Sequence, residues 1–331
     1  MRLRSRVATA ASAACLLAAG SVLGACGGSG GETQVSTPPP PAAQPEEFPK
    51  PGGKTLREML AEYRAGPVIA ASVSQFEPGI NRFGFALFDR ARAQIADAPV
   101  MIYLAPVGGG RVVGPIEARF ERMEVKPVFQ SRSVAADEDA AKSLYVADLR
   151  LPRPGSYELI GLAQLDGRLV AATPSGGPLE VSADGPVPEV GERAPVVNTD
   201  TRETVAGNIE LLDTRQPASS MHDIDFADVV GRQPTVLLFA TDALCQSRVC
   251  GPVIDVTEQV KSEREGDGVA FVHQEIYVDN DVAKGLRPSV AAWNLPTEPW
   301  LFVVGADGRI VERLEGAFSD NELNAAIDKA L

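Results

Sequence analysis

Short runs of β-branched and aromatic residues recur through the first half of the chain. Turn signals such as Glu77-Pro78-Gly79 and Asp166-Gly167 separate them. The runs predict strands at 68–76, 83–88, 100–105, 116–121, 143–151, 156–164 and 167–172. About seven short strands with this spacing predict an antiparallel sandwich. A helix is predicted just before them, over 56–64, and no motif for catalysis interrupts the pattern.

The pattern changes after residue 185, where the apolar runs become continuous. Such runs are typical of buried parallel strands. The residues Ala306-Asp307-Gly308-Arg309 predict a hairpin turn between the last two strands. The strands are predicted at 234–240, 269–278, 300–304 and 310–314. One helix is predicted to begin at Pro252. A terminal helix is predicted to begin after Ser319, because Glu322 completes a capping box.

The N-terminus has the features of an export signal. Three arginines precede an apolar run over 7–22 that is too short to span a bilayer. The run ends in Leu23-Gly24-Ala25-Cys26, which resembles the bacterial lipobox. That resemblance implies a lipoprotein signal peptide over 1–25 and a lipid attached to Cys26. We therefore expect a protein anchored to the bacterial cell membrane and facing its extracytoplasmic side.

Composition divides the rest of the chain and excludes one class of partner. Residues 26–55 are rich in Gly and Pro, which predicts a solvated tether. The remaining length suits two domains, over 56–185 and 186–331. The 31 Lys and Arg against 44 Asp and Glu give a net charge of −13, so we expect no nucleic-acid partner. Only two histidines are present, and Cys245 and Cys250 are the only cysteines of the predicted folded part.

Four segments after residue 185 carry a family resemblance: VGERAP, DFADVVGRQPTVLLFAT, IYVDND and EPWLFVVGADGRIVERLEG. They resemble thioredoxin-like proteins, the group that includes peroxiredoxins, cytochrome c maturation reductases and Sco copper chaperones. The preceding domain resembles immunoglobulin-like domains only in architecture. The expected fold is therefore an α/β thioredoxin-like domain preceded by an all-β immunoglobulin-like sandwich. The resemblance also implies that Pro299 is a cis-proline facing the cysteine loop, that Glu298 and Pro299 offer backbone to a partner, and that Trp300 lies beside them.

The two cysteines predict thiol-disulfide chemistry with an unusual spacing. Four residues separate Cys245 from Cys250, where thioredoxins have two. If the helix begins at Pro252, Cys250 lies just outside its N-terminus, where free amides, the helix dipole and Arg248 favour a thiolate. We expect Cys250 to be the nucleophile and Cys245 its resolving partner, with the reverse order left open. The predicted function is a thiol-disulfide oxidoreductase without a cofactor, acting on protein thiols and disulfides of the cell envelope.

Two alternatives remain at this stage. The pair could be a static disulfide in a non-enzymatic envelope protein, because oxidising compartments keep such pairs closed. The stretch ALCQSRVCGP also resembles the Sco pattern, and two thiolates suit Cu(I). A copper site would use Cys245, Cys250 and His222, whereas His273, on a predicted central strand, is expected to be a packed residue.

Overall fold

The strands of the first half form a single sheet that closes on itself. The computed structural model of the protein describes residues 42–245 and 247–331, all within one compact unit. The strands are β1 (Arg64–Ala71), β2 (Gly79–Phe88), β3 (Gln94–Ile95), β4 (Val100–Pro106), β5 (Val113–Arg122), β6 (Ser143–Leu151), β7 (Gly155–Leu165), β8 (Arg168–Pro174) and β9 (Leu179–Val181). Their order is β1-β8-β7-β4-β5-β6-β2-β3, with β9 beside β7. Because β1 also pairs with β2, the strands from β1 around to β2 form a closed barrel.

This closure corrects the expected architecture. Each of the seven predicted runs overlaps a strand. Hydrogen bonding nevertheless joins them in one sheet, so the two-sheet immunoglobulin-like sandwich is not confirmed. β1 is antiparallel to β2 on one side and parallel to β8 on the other. Local turn signals specify where strands begin and end, whereas these two long-range pairings determine that the sheet closes.

The interior of the barrel is filled by aromatic and aliphatic side chains. Phe83 stacks on Phe85 with ring centroids 5.2 Å apart, and Phe85 stacks on Tyr145 at 5.5 Å. The Tyr145 hydroxyl accepts a hydrogen bond from the Ala98 amide, and burial raises the pKa of this phenol to about 12. The barrel core is therefore almost wholly apolar.

The last part of the predicted tether packs on the barrel. Ala43 and Phe48 are buried, and the Tyr103 hydroxyl donates to the carbonyl of Pro49 at 2.8 Å. Helix α1 (Leu56–Ala61) follows, and Thr55 caps it. Residues 42–55 thus correct the expectation of a solvated tether at this end. The predicted signal peptide, Cys26 and the rest of the tether lie outside the described residues.

The second half has the thioredoxin-like arrangement that the sequence predicts. Its strands are β10 (Thr235–Phe239), β11 (Ala270–Gln274), β12 (Trp300–Val304) and β13 (Ile310–Glu315), in the order β11-β10-β12-β13. β10 is parallel to β11 and antiparallel to β12, and β12 is antiparallel to β13. The helices of the chain after α1 are α2 (Arg132–Ala136), α3 (Ile209–Leu212), α4 (Phe226–Val229), α5 (Cys250–Glu263), α6 (Pro288–Ala292) and α7 (Asp320–Asp328). Within the described ranges, none of these helices has the length and apolarity that crossing a membrane requires.

Of the two helix starts predicted in this half, one is confirmed and the other differs by two residues. The capping box at Ser319 and Glu322 is present at the start of α7. Helix α5 begins at Cys250, not at Pro252. Cys250 is therefore the first residue of the helix rather than a residue outside it.

Polar contacts join the barrel to the thioredoxin-like half. Arg82 of β2 pairs with Glu322 and also donates to the carbonyls of Glu315 and Ala317. The Glu315 carboxylate in turn accepts hydrogen bonds from the Ser74 hydroxyl and the Gln75 amide. These contacts place the barrel directly against the end of β13.

Candidate active site

A disulfide lies between the end of β10 and the start of α5. It joins Cys245 to Cys250, whose Cα atoms are 6.1 Å apart. Cys250 is fully buried, whereas Cys245 is half-buried in the loop. The two sulfur atoms therefore differ in access, and Cys245 is the one that an external thiol can approach.

The N-terminus of α5 places unpaired amides next to the Cys250 sulfur. Val249 occupies the N-cap position and its side chain makes no capping hydrogen bond. The first amides of a helix and its dipole stabilise negative charge, which favours a thiolate on Cys250 once the disulfide opens. From the sequence, Arg248 is expected to add to this effect. In the structure its guanidinium pairs with Asp137 and Asp139, so these two carboxylates share its charge.

The segment between β5 and β6, residues 123–142, lies against the cysteine loop, and we call it the barrel connection. The Ala141 amide donates to the Arg248 carbonyl at 3.3 Å. The Ser133 hydroxyl donates to the Asp242 carboxylate, and a Val134 methyl lies beside Gly251. Hence the barrel half contributes side chains to the surroundings of the disulfide.

Asp242 is a carboxylate at the start of the same loop. Burial raises its pKa, and the hydrogen bond from Ser133 acts in the opposite direction. A Cβ added to Gly251 would lie 2.5 Å from an oxygen of Asp242 and 2.8 Å from Val134. A glycine therefore allows the barrel connection and Asp242 to approach the first turn of α5 closely.

The segment before β12 contains the other residues that the sequence singled out. The Glu298–Pro299 peptide bond is cis, as the family resemblance implies, and the Pro299 carbonyl accepts from the Gly316 amide at 2.9 Å. Trp300 is 2% exposed and donates through its indole nitrogen to the Thr297 hydroxyl. Glu298 is half-buried, and burial raises the pKa of its carboxyl. Glu298 is thus the accessible side chain of the three, while Trp300 packs in the core.

His222 does not lie with the cysteines. Its Nε2 is 2.8 Å from an oxygen of Asp213, and its ring centroid is 4.8 Å from that of His273. Within the part of the chain that the structure describes, the metal-binding atoms of Asp213, His222 and His273 lie within 4.8 Å of one another. The predicted copper set of Cys245, Cys250 and His222 is therefore not assembled in the disulfide form.

The three side chains of this group have strongly perturbed acidities. Burial lowers the pKa of His222, although Asp213 opposes the shift. Burial also acts to lower the pKa of His273, but Asp213 outweighs it and the net pKa is raised. For Asp213, burial is opposed and outweighed by the two histidines, so its pKa lies well below the usual range. Sequence reasoning missed Asp213, because nothing in its local pattern distinguishes it from a surface acid.

Comparison with known proteins gives few matches. No family model matches the chain, and no curated protein matches it. A thiol:disulfide interchange protein of the thioredoxin family from Chlorobium tepidum is similar in structure over 43% of this chain and 97% of its own, with 14% identity and a TM-score of 0.31. A thioredoxin-like superfamily protein is similar over 34% of this chain and 87% of its own, with 18% identity and a TM-score of 0.28.

Proposed function

We propose that the protein is a thiol-disulfide oxidoreductase that uses Cys245 and Cys250. The observation that carries this proposal is the position of the disulfide. One sulfur is accessible in a loop, and the other is buried at the N-terminus of α5. This asymmetry suits an exchange reaction, because an incoming thiolate needs one open sulfur and one stabilised leaving group.

The exchange proceeds in two steps. A partner thiolate attacks the Cys245 sulfur, a new disulfide forms between the partner and Cys245, and the bonding electrons of the old disulfide leave on Cys250 as a thiolate. A second thiolate of the partner then attacks the mixed disulfide and releases Cys245, so that the partner is oxidised and the protein reduced. In the reverse direction Cys245 attacks a partner disulfide and Cys250 resolves the intermediate. This assignment reverses the order that the sequence analysis favoured.

Partners are proposed to be protein thiols and disulfides of the cell envelope. The segment at Glu298 and Pro299 is the proposed contact for an extended partner chain, since Glu298 is partly exposed there. The lipobox resemblance at Cys26 supports a lipid-anchored location on the extracytoplasmic side of a bacterial membrane. Copper binding by the reduced thiols stays a prediction without support from the position of His222.

The decisive experiment measures native-state reduction and thiol reactivity. Under native conditions, mild reductant should open the disulfide, and both thiols should then be alkylated. With Cys250→Ser, the remaining Cys245 should react with an aromatic disulfide at least about tenfold faster than Cys250 does in Cys245→Ser, since Cys250 is buried. Cys250→Ser should also accumulate mixed disulfides with a dithiol peptide that is supplied in its oxidised form.

The matched pair of serine variants serves as its own control. Each replaces one sulfur atom with a smaller oxygen atom and leaves the other cysteine unchanged. A disulfide that opens only after denaturation would identify a static bridge and end the redox proposal. Reversed reactivity of the two variants would instead keep exchange and restore Cys250 as the nucleophile, whereas equal reactivity would contradict the assignment of Cys245.

A further inference from the structure

Both histidines of the chain meet one aspartate inside the thioredoxin-like half. Asp213 follows α3, His222 lies on the loop after it, and His273 is on β11. An Asp213 oxygen lies 2.8 Å from His222 Nε2 and 3.7 Å from His273 Nδ1. Both rings are at most 1% exposed. None of the three takes part in the proposed disulfide exchange.

The distances between these atoms suit a shared cation. A tetrahedral zinc ion with bonds of ~2.0 to 2.2 Å separates its ligand atoms by about 3.3 Å. The two separations from the Asp213 oxygen lie on either side of that value, and all three ligand atoms lie within 4.8 Å of one another. Three ligands from two segments, the loop after α3 and strand β11, therefore already lie close together.

The hydrogen bond of the His273 ring also fits ligation. His273 Nε2 is 3.1 Å from the Ala240 carbonyl, so in the neutral ring the proton lies on that nitrogen and Nδ1 carries the lone pair. Metal-binding histidines commonly donate their other ring N–H to a backbone carbonyl in this way. His222 Nδ1 is buried and has no hydrogen-bond partner among the described residues. When His222 ligates through Nε2, its Nδ1–H group still has no partner among the described residues, so the hydrogen-bonding argument for ligation comes from His273.

The surrounding charges leave an excess of carboxylates. Glu275 is buried, and its Oε2 atom has no hydrogen-bond partner among the described residues. The guanidinium of Arg215 is bonded to Asp255. Among the contacts of the described residues, neither Asp213 nor Glu275 is paired with a guanidinium. With both imidazoles neutral, as metal ligation requires, no described guanidinium pairs with these two carboxylates, so a metal ion at Asp213 would supply the positive charge that a buried carboxylate needs.

We propose that Asp213, His222 and His273 bind one divalent transition-metal ion of the zinc class. Two imidazoles and one carboxylate suit Zn²⁺ or a related ion better than Mg²⁺ or Ca²⁺, which prefer oxygen ligands. The Ser219 hydroxyl, 3.0 Å from His273 Nδ1, is placed to complete the coordination. The ion would hold the loop that carries Asp213 and His222 against β11. This site is separate from the cysteines and does not depend on their redox state.

The test uses the chain in its disulfide form, where Cys245 and Cys250 cannot bind metal. Protein refolded with Zn²⁺ or Co²⁺ and then desalted should retain one ion per chain by elemental analysis. X-ray absorption of the zinc form should show only nitrogen and oxygen neighbours at ~2.0 to 2.2 Å, without sulfur at about 2.3 Å. Refolding with the metal should also raise the melting temperature, because a ligand that binds only the folded state stabilises it.

Variants locate the ion without relying on activity. The Cys245→Ser/Cys250→Ser double variant should retain full stoichiometry, whereas His222→Gln and Asp213→Asn should lose it. Wild-type protein that refolds without retaining metal would overturn the proposal, and so would sulfur neighbours in the absorption spectrum. Both of these measurements use the wild-type chain, so a variant that fails to fold does not block the test. Failure here would leave the disulfide-exchange test untouched.

Discussion

The barrel and the thioredoxin-like half bury side chains of different chemistry. Inside the barrel strands the buried residues are aliphatic or aromatic, with Ser143 as a buried polar exception among those described. The thioredoxin-like half buries carboxylates, guanidinium groups and both imidazoles. Its buried charged and titratable residues are Asp213, Arg215, His222, Asp255, His273, Glu275, Arg287 and Glu315.

This difference separates the sources of stability from the sources of chemistry. Apolar burial stabilises the barrel without directional or pH-dependent contacts. Buried charges are costly unless they are paired, and structures keep them where they bind ligands or tune reactive groups. The barrel then serves the other half as a rigid support, which reaches the cysteine loop through Ser133, Asp137 and Asp139.

The largest expected effect comes from emptying the barrel core. Phe85→Ala should lower the free energy of unfolding by ~3 to 5 kcal/mol, since Phe85 is fully buried between Phe83 and Tyr145. The loss should be the same at pH 5 and pH 8, because the barrel core contains no buried charge among its described residues. Urea unfolding at both pH values measures it.

Tryptophan fluorescence tests whether a loss of stability in the barrel also destabilises the thioredoxin-like half. Both tryptophans of the chain, Trp293 and Trp300, lie in the thioredoxin-like half. If the two halves unfold together, Phe85→Ala should shift the fluorescence and circular dichroism transitions equally. The control Ile80→Ala removes a side chain that is 66% exposed and should cost less than ~0.5 kcal/mol. A fluorescence transition unchanged by Phe85→Ala would show that the halves unfold independently.

A smaller effect is expected from the contact between the halves. Arg82→Met removes the guanidinium and leaves the Glu322 carboxylate, whose side chain is 11% exposed, without its partner. Breaking such a buried pair costs about 3 kcal/mol. The matched control is Arg119→Met, because the Arg119–Asp148 pair lies on the barrel surface with side chains 45% and 57% exposed. That control should lower the free energy of unfolding by only ~0 to 1 kcal/mol in urea unfolding. Equal losses for the two variants would contradict the expectation that the pair between the halves stabilises the protein more than the surface pair does.

Local sequence signals were sufficient for the elements, and insufficient for the contacts between them. The capping box at Ser319 and Glu322 and the hairpin between β12 and β13 depend on residues a few positions apart, so they could be predicted. The closure of the barrel depends on β1 meeting β2 and β8, which turn residues do not encode. The start of α5 at Cys250 was also missed, because Pro252 is tolerated anywhere in a first turn.

The candidate site shows the same division. Cys245, Cys250 and the cis bond before Pro299 were found from motifs and resemblance. The hydrogen bond between Ser133 and Asp242 joins residues 109 positions apart, and no pattern in either segment predicts it. The burial of Trp300, in contrast, agrees with the continuous apolar run over 300–304, which predicts a strand buried on both faces.

The smallest expected effect concerns Glu298, a half-buried carboxylate of the chemically active half. Burial raises its pKa in the folded state above the unfolded value, and Tyr277 is the titratable group that faces it. The proton is therefore bound more tightly in the folded protein. Relative to a neutral side chain, Glu298 lowers the free energy of unfolding when it is ionised, and this penalty disappears as the pH falls below the unfolded pKa of about 4.3.

Glu298→Gln should consequently stabilise the protein at pH 7 by less than ~1 kcal/mol, because solvent screens a half-exposed group. The advantage of the variant should shrink as the pH falls and vanish near pH 4, in urea unfolding of both proteins. Glu138→Gln, at an exposed position in the barrel connection, is the control and should show no such pH-dependent gain. A gain that persisted at pH 4 would mean that lost packing or hydrogen bonding, rather than the buried charge, separates Glu298 from its glutamine variant.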